Sequence, residues 1–207
     1  MFACATDWPG LCRRAKTDDD ALASLAEYLP RYAKVAQRAG FAVPLDATFA
    51  IVERLVAVPS AKGYTAVDFG ATEAPCAADA RPLTAKDAKR LAALVAAAWA
   101  ELDDVVGAAP AQLRKGPRGG GRDRDAVVEH VLGAESAYAR KIGLPIRQPD
   151  RDDAAGIDTM RLAILDVLRT ARAGVPLCER GWLPRQAARR IAWHVLDHAW
   201  EIEDRSQ

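Results

Sequence analysis

Apolar positions along the 207-residue chain change their period near residue 80. Before that point beta-branched and aromatic residues gather in short runs, "TFAIVERLVAVPS" and "GYTAVDFGAT", bounded by Pro and Gly. Such runs predict short strands. One helix is predicted among them, from Thr17, an N-cap ahead of three aspartates, to Gly40, a C-terminal stop. Residues 1–80 therefore read as a small N-terminal α/β domain.

After the loop "GATEAPCAADARP" the apolar residues recur at helical spacing. Four helices are predicted, at about 84–107, 124–142, 153–173 and 184–205, separated by "GAAPAQLRKGPRGGG", "GLPIRQPD" and "GVPLCERGW". The first carries an apolar stripe of Leu91, Leu94, Val95, Ala98, Leu102 and Val106; the third carries Ile157, Met160, Ile164, Val167, Leu168 and Ala171. Four one-sided helices with polar or Gly/Pro loops predict an antiparallel four-helix bundle over residues 81–207. The expected fold class is α+β, the small domain followed by the bundle.

The chain has three histidines, and all fall on the core-facing side of their helices. His130 lies beside the stripe Val127, Val131, Ala134, Tyr138 and Ile142, and His194 and His198 lie in or beside Ala187, Ile191, Val195 and Ile202. A buried imidazole needs partners for both nitrogens, and an i,i+4 pair can grip one metal ion, with a third ligand from a facing helix completing the site. Three neutral imidazoles favour zinc, nickel, cobalt, iron or copper over magnesium or calcium, and leave positions for water or substrate. The alternative is three core histidines satisfied by carbonyls and carboxylates, which must then account for all three at once. Asp197 and Glu201, each three residues past a histidine, are candidate orienting partners or general bases, with solvated helix charges as the plainer reading. Glu135 and Tyr138 lie near His130, where packing alone also explains them.

Composition narrows the classes. The net charge is +1 with no long block of like charge, so nucleic acid is not the expected partner. The start "MFACATDWPGL" lacks a basic n-region and an apolar h-region, and "LAALVAAAWA" is too short to span a bilayer, so a cytoplasmic protein without a membrane association is expected. Cys4, Cys12, Cys76 and Cys178 form no CxxC pair and are expected to be reduced thiols, mostly structural.

With one histidine on the second helix of the predicted bundle and "HVLDH" on the fourth, flanked by "VVEHVLGAESAYARKIG" and "ARRIAWHVLDHAWEIEDR", residues 84–205 resemble the DinB-like superfamily of metal-binding four-helix bundles. The resemblance implies a divalent transition metal, zinc or nickel above others, held by His130, His194 and His198. It also implies a thiol-dependent S-transferase or isomerase that uses a low-molecular-weight thiol of the mycothiol, bacillithiol or glutathione type on a small-molecule electrophile. Coordination lowers a thiol's pKa, which makes the thiolate available near neutral pH. Residues 1–75, through "ATDWPGLCRRAKTDDDALASLAEYL", are similar to the HicB-like fold of strand, "PGL" turn, strand and helix. No DNA-binding helix-turn-helix accompanies it, so an accessory or homodimerisation module is expected. In the alternative to catalysis, the chain is a non-enzymatic metal-binding or interaction protein that uses this segment to recruit a partner.

Three further features stand out. Trp193, Leu196 and Trp200 form a second apolar stripe on the fourth helix, opposite the histidines, which the N-terminal domain or a second subunit is expected to cover. "RKGPRGGGRDRD" has neither a Walker lysine-serine pattern nor a preceding strand, and reads as a flexible loop. "LPRQAARR" sets three arginines near the start of the fourth helix, read as a solvated face, with a role in binding carboxylates as the alternative.

Overall fold

The computed structural model describes residues 1–56, 59, 63, 74–116 and 120–207. Among them are six α-helices and one two-stranded antiparallel sheet, an α+β arrangement that is mostly helical. Strands β1 (Phe2–Cys4) and β2 (Cys12–Arg14) pair in the register Phe2↔Arg14, Ala3↔Arg13, Cys4↔Cys12. That register sets Cys4 and Cys12 directly opposite one another, with Cα atoms 4.0 Å apart, and they form a disulfide. The expectation of four reduced thiols is corrected on this point. The spacing of these two cysteines matches no motif, and strand pairing alone brings them together.

Helix α1 (Asp18–Glu27) begins as its sequence suggests: Thr17 Oγ1 accepts the Asp20 N–H at 3.1 Å, and Asp18, Asp19 and Asp20 occupy the first turn. The expected single helix to Gly40 breaks at Tyr28, and α2 (Leu29–Arg38) starts anew. Pro30 is the reason, because it lacks an N–H and its ring crowds the carbonyl four residues back. The stop at Gly40 is a left-handed cap (φ +84°), with Phe41 N–H donating to the Ala36 carbonyl and Gly40 N–H to that of Gln37. The strand expected over 48–60 is not formed where it is described: residues 48–56 have no regular structure. Beta-branched residues make a strand only where a neighbour supplies its ladder, and the described sheet is complete with β1 and β2. The strand expected over 63–72 lies outside the described residues apart from Gly63.

A 3₁₀ turn (Ala77–Ala80) leads to α3 (Ala85–Ala108), which opens with a reciprocal capping box between Thr84 and Asp87. Then come α4 (Arg124–Lys141), α5 (Ala154–Thr170) and α6 (Pro184–Arg205). Asp153 caps α5 through the Gly156 N–H, and α6 starts on a proline whose missing N–H has no helical partner to lose. Helix α3 packs on α5 and α6, and α4 packs on α6 and α5. The shared core includes Leu94, Val95, Val131, Ile164, Ile191 and Val195, all at most 1% exposed. Each such aliphatic side chain contributes about 1.5–3 kcal/mol by leaving water. Leu11, Leu25, Leu29, Tyr32 and Val35 join the same apolar cluster, so residues 1–40 share one core with the long helices.

Two buried carboxylates are held by arginines. Asp79 in the 3₁₀ turn, 1% exposed, receives Arg189 of α6 and the Cys76 N–H, which ties the turn to α6. Glu135 of α4, also 1% exposed, accepts Trp99 Nε1–H of α3 at 2.8 Å and pairs with Arg161 of α5. Burial pushes the Glu135 carboxyl up, and Arg161 and Trp99 pull against it. No helix among the described residues is long and apolar enough to cross a membrane.

Candidate metal centre

Helix α6 presents two apolar-lined faces, and the N-terminal segment occupies one of them. Phe2 meets Trp193 edge-on at 6.0 Å, Tyr28 meets Trp200 at 5.1 Å, and Gly10 sits against Ala192 and Leu196. Trp193, Leu196 and Trp200 are thus covered from within the chain. The other face carries the histidines and meets α4.

His194 and His198 lie one helical turn apart on α6, and His130 reaches them from α4. One ring nitrogen from each lies within 4.8 Å of the other two. His130 Nε2 and His194 Nε2 are 3.2 Å apart. Two imidazole nitrogens on a tetrahedral ion with bonds of about 2.0–2.1 Å stand about 3.3 Å apart, so this pair already has ligand spacing. The three imidazoles form a group that could hold a metal ion.

The surroundings prepare the nitrogens for that role. His198 Nδ1 is bonded to Glu201 Oε2 at 2.8 Å, which leaves its Nε2 lone pair directed away from the carboxylate. Glu201 is in turn held by Arg205 Nη1 at 2.6 Å. The hydrogen bond from His198, seconded by Arg205, keeps the Glu201 carboxyl below the usual range. His194 is 7% exposed, and burial, seconded by His198, His130, Arg190 and Arg122, pushes its pKa down to about 2. His130 is lowered too, first by burial and then by His198 and Arg122. Both rings are neutral near pH 7, the form in which imidazole binds metals. His194 Nδ1 is buried without a hydrogen-bond partner among the described residues. An imidazole aligned by no carbonyl or carboxylate of its own departs from the reading of satisfied core histidines.

The other candidate residues separate. Asp197 turns away from the histidines to Arg13 of β2, at 3.2 Å. Glu135 is committed to Trp99 and Arg161. Tyr138 stays close, its ring 5.6 Å from that of His194 and 5.1 Å from that of Trp182. Arg205, which steadies Glu201, is not among the residues expected from the sequence; its i,i+4 spacing from Glu201 on one helix is the signal that marks it. It also donates to the Arg114 carbonyl at 2.9 Å, and a Cβ at Gly121 would lie 2.7 Å from its Nη2. Gly121 therefore lets the chain ahead of α4 close over the end of α6. The arginines of "LPRQAARR" are not a solvated face: Arg185 and Arg189 side chains are 12% and 14% exposed, set among Asp7, Asp87 and Asp79. Arg190 lies over the rings of Tyr138 and Trp193, 5.3 Å and 4.7 Å from their centroids. Neither a protein-family model, nor a curated protein, nor a solved structure matches the chain, so the character of this centre is read from its own geometry.

Proposed function

We propose that the chain is a DinB-like, metal-dependent thiol S-transferase or isomerase in which α3, α4, α5 and α6 form an antiparallel four-helix bundle around a three-histidine centre. The observation that carries this reading is the convergence of His130, His194 and His198 within 4.8 Å. The donor set fits a borderline transition ion, zinc or nickel, and not a hard cation that needs oxygen ligands. Such an ion, when bound, lowers the pKa of a small thiol and so supplies a nucleophile at neutral pH.

The chain's own residues do the remaining work. Glu201 holds the His198 proton on Nδ1, which fixes the tautomer that leaves Nε2 to face the centre. Arg205 holds Glu201, and burial keeps His194 neutral. Tyr138, backed by Trp182, sets an aromatic ring beside His194, against which the apolar part of an electrophile can rest.

Elemental analysis of the untagged protein, beside a His194→Ala/His198→Ala double variant, tests the centre. About one equivalent of metal per chain, lost in the variant, is the expected result, because two of three ligands are gone. Turnover of model electrophiles with mycothiol, bacillithiol and glutathione by the metal-loaded protein tests the chemistry; silence across the panel sinks the enzyme.

A second reading, an interaction role for the N-terminal segment, is favoured by one observation: Ile51, Val52, Leu55 and Val56 are 44–86% exposed in a stretch without regular structure. A homodimer seen by sedimentation-equilibrium or light-scattering measurements, and broken by Val52→Asp/Val56→Asp, is its expected sign.

A further inference from the structure

Two strands of three residues are too short to hold together unaided. The hairpin is secured by the Cys4–Cys12 bridge, which pins the last pair before the loop of residues 5–11. That loop is pressed on α6. Leu11 is 1% exposed, the Pro9 carbonyl accepts the Tyr32 hydroxyl at 2.7 Å, and a Cβ at Gly10 would stand 2.6 Å from Leu196 Cδ1. Beyond the bridge, Arg13 reaches Asp197 at 3.2 Å. Ala192, Leu196 and Asp197 interleave with His194 and His198 along the same turns of α6. The hairpin therefore braces, from behind, the turns that present two of the three imidazoles.

The bridge also borders the surface. Cys4 and Cys12 both line a narrow surface cleft whose far wall is α6, through Gln186, Arg189 and Trp193. Cys12 is 3% exposed and Cys4 is half-buried, so attack on the bridge is assigned to the less buried residue, Cys4.

We propose that Cys4–Cys12 is a thiol–disulfide exchange site for low-molecular-weight thiols, and that its reduction loosens the hairpin on α6 and weakens the hold of the three histidines on a divalent ion. The second half rests on the metal reading above. In the first step a thiolate attacks Cys4 Sγ, forming a mixed disulfide as the bond to Cys12 breaks and Cys12 leaves as thiolate. A second thiolate attacks the small-molecule sulfur of that mixed disulfide, releasing the oxidised dimer of the thiol and the Cys4 thiolate. Both protein thiolates take up protons, so two small thiols are oxidised for one protein disulfide reduced.

Zinc affinity, measured by chelator competition on the full chain before and after reduction with a phosphine that does not bind the metal, is the direct test. The reduced form is expected to bind zinc about tenfold more weakly, within the usual range for coupled sites. Cys4→Ser/Cys12→Ser is expected to match the reduced form and ignore the reductant, while Cys76→Ser and Cys178→Ser keep the response. Equal affinities of the two forms overturn the proposal. Poising the protein in glutathione redox mixtures, with alkylation and mass analysis, is expected to show the pair titrating through a glutathione adduct on Cys4; a pair still closed in excess thiol overturns it as well. A third readout uses metal-free wild-type protein, in case the double variant folds poorly. Amide hydrogen exchange over residues 192–198 is expected to quicken on reduction, and unchanged exchange overturns the brace. If neither form binds zinc but exchange quickens, the metal reading fails and the redox brace stands.

Discussion

The two faces of α6 differ in what their residues are given to do. On one face Trp193, Leu196 and Trp200 are satisfied by contact, with Phe2, Gly10 and Tyr28 filling the space against them. On the other, buried His194 has a ring nitrogen with no partner among the described residues and a second one 3.2 Å from the Nε2 of His130. Apolar burial lowers the free energy of the first face as it stands. The second holds neutral imidazoles whose lone pairs gain most when a cation joins them. Stability and chemistry thus sit back to back on one helix, which predicts that substitutions on the tryptophan face act first on stability and reach the histidines only through the turns of α6 that the two faces share.

The largest separation is expected from Trp200→Ala. The side chain is 2% exposed and packs on Tyr28, so its loss should cost about 3–5 kcal/mol in denaturant unfolding. With saturating zinc, metal bound per folded chain should be unchanged; a loss of metal at saturation without a loss of stability would show that the tryptophan face helps to form the site itself.

Gly10→Ala attacks the same face from its cover. Gly10 has φ +97°, and the added Cβ would meet Leu196, so a loss of about 2 kcal/mol is expected from backbone strain and overpacking together. Thermal unfolding of the variant checks this, and a cost no larger than that of an ordinary surface substitution would mean the hairpin is not seated on α6.

Acidification acts on the histidine face. The native pKa of His194, near 2, lies below its unfolded value of about 6.5, so the unfolded chain binds more protons and stability rises with pH across that window. Metal-free protein should lose about 2 kcal/mol between pH 7 and pH 5 from this group, and His194→Gln should remove that slope. A wild-type slope that survives in His194→Gln would assign it to other groups.

Glu201→Gln is the mildest probe. It keeps the shape but takes the charge from the partner of His198, and should weaken metal binding about tenfold with little change in unfolding free energy. Equal metal affinity would reduce Glu201 to an ordinary helix carboxylate paired with Arg205.

The four long helices were legible because their apolar periodicity, caps and Gly/Pro loops agree. Thr84 with Asp87, Asp153, and Pro184 mark starts that local chemistry alone dictates. The three histidines were legible as a group because each falls on the inner side of its helix, and Glu201 because i,i+3 spacing brings it to His198. Asp197 has the same spacing from His194 but a different fate, since Arg13, 184 residues away in sequence, claims it. Runs rich in Val and Ile before residue 60 misled for a related reason. A strand is a property of two segments, and residues 48–56 have no described partner.

What the sequence by itself determined about this protein is therefore local: where helices start and stop, which face of each is apolar, and that α6 carries histidines on one side and tryptophans on the other. Only the tertiary structure decided the pairings between distant segments. These are the Cys4–Cys12 bridge, the hairpin on the tryptophan face, Arg189 on Asp79, Arg161 on Glu135, and the approach of His130 to His194. The physical reason is that helix periodicity and capping act within a few residues. A disulfide, a buried ion pair or a three-histidine centre needs atoms brought within a few ångströms across the whole fold, and packing alone sets that distance.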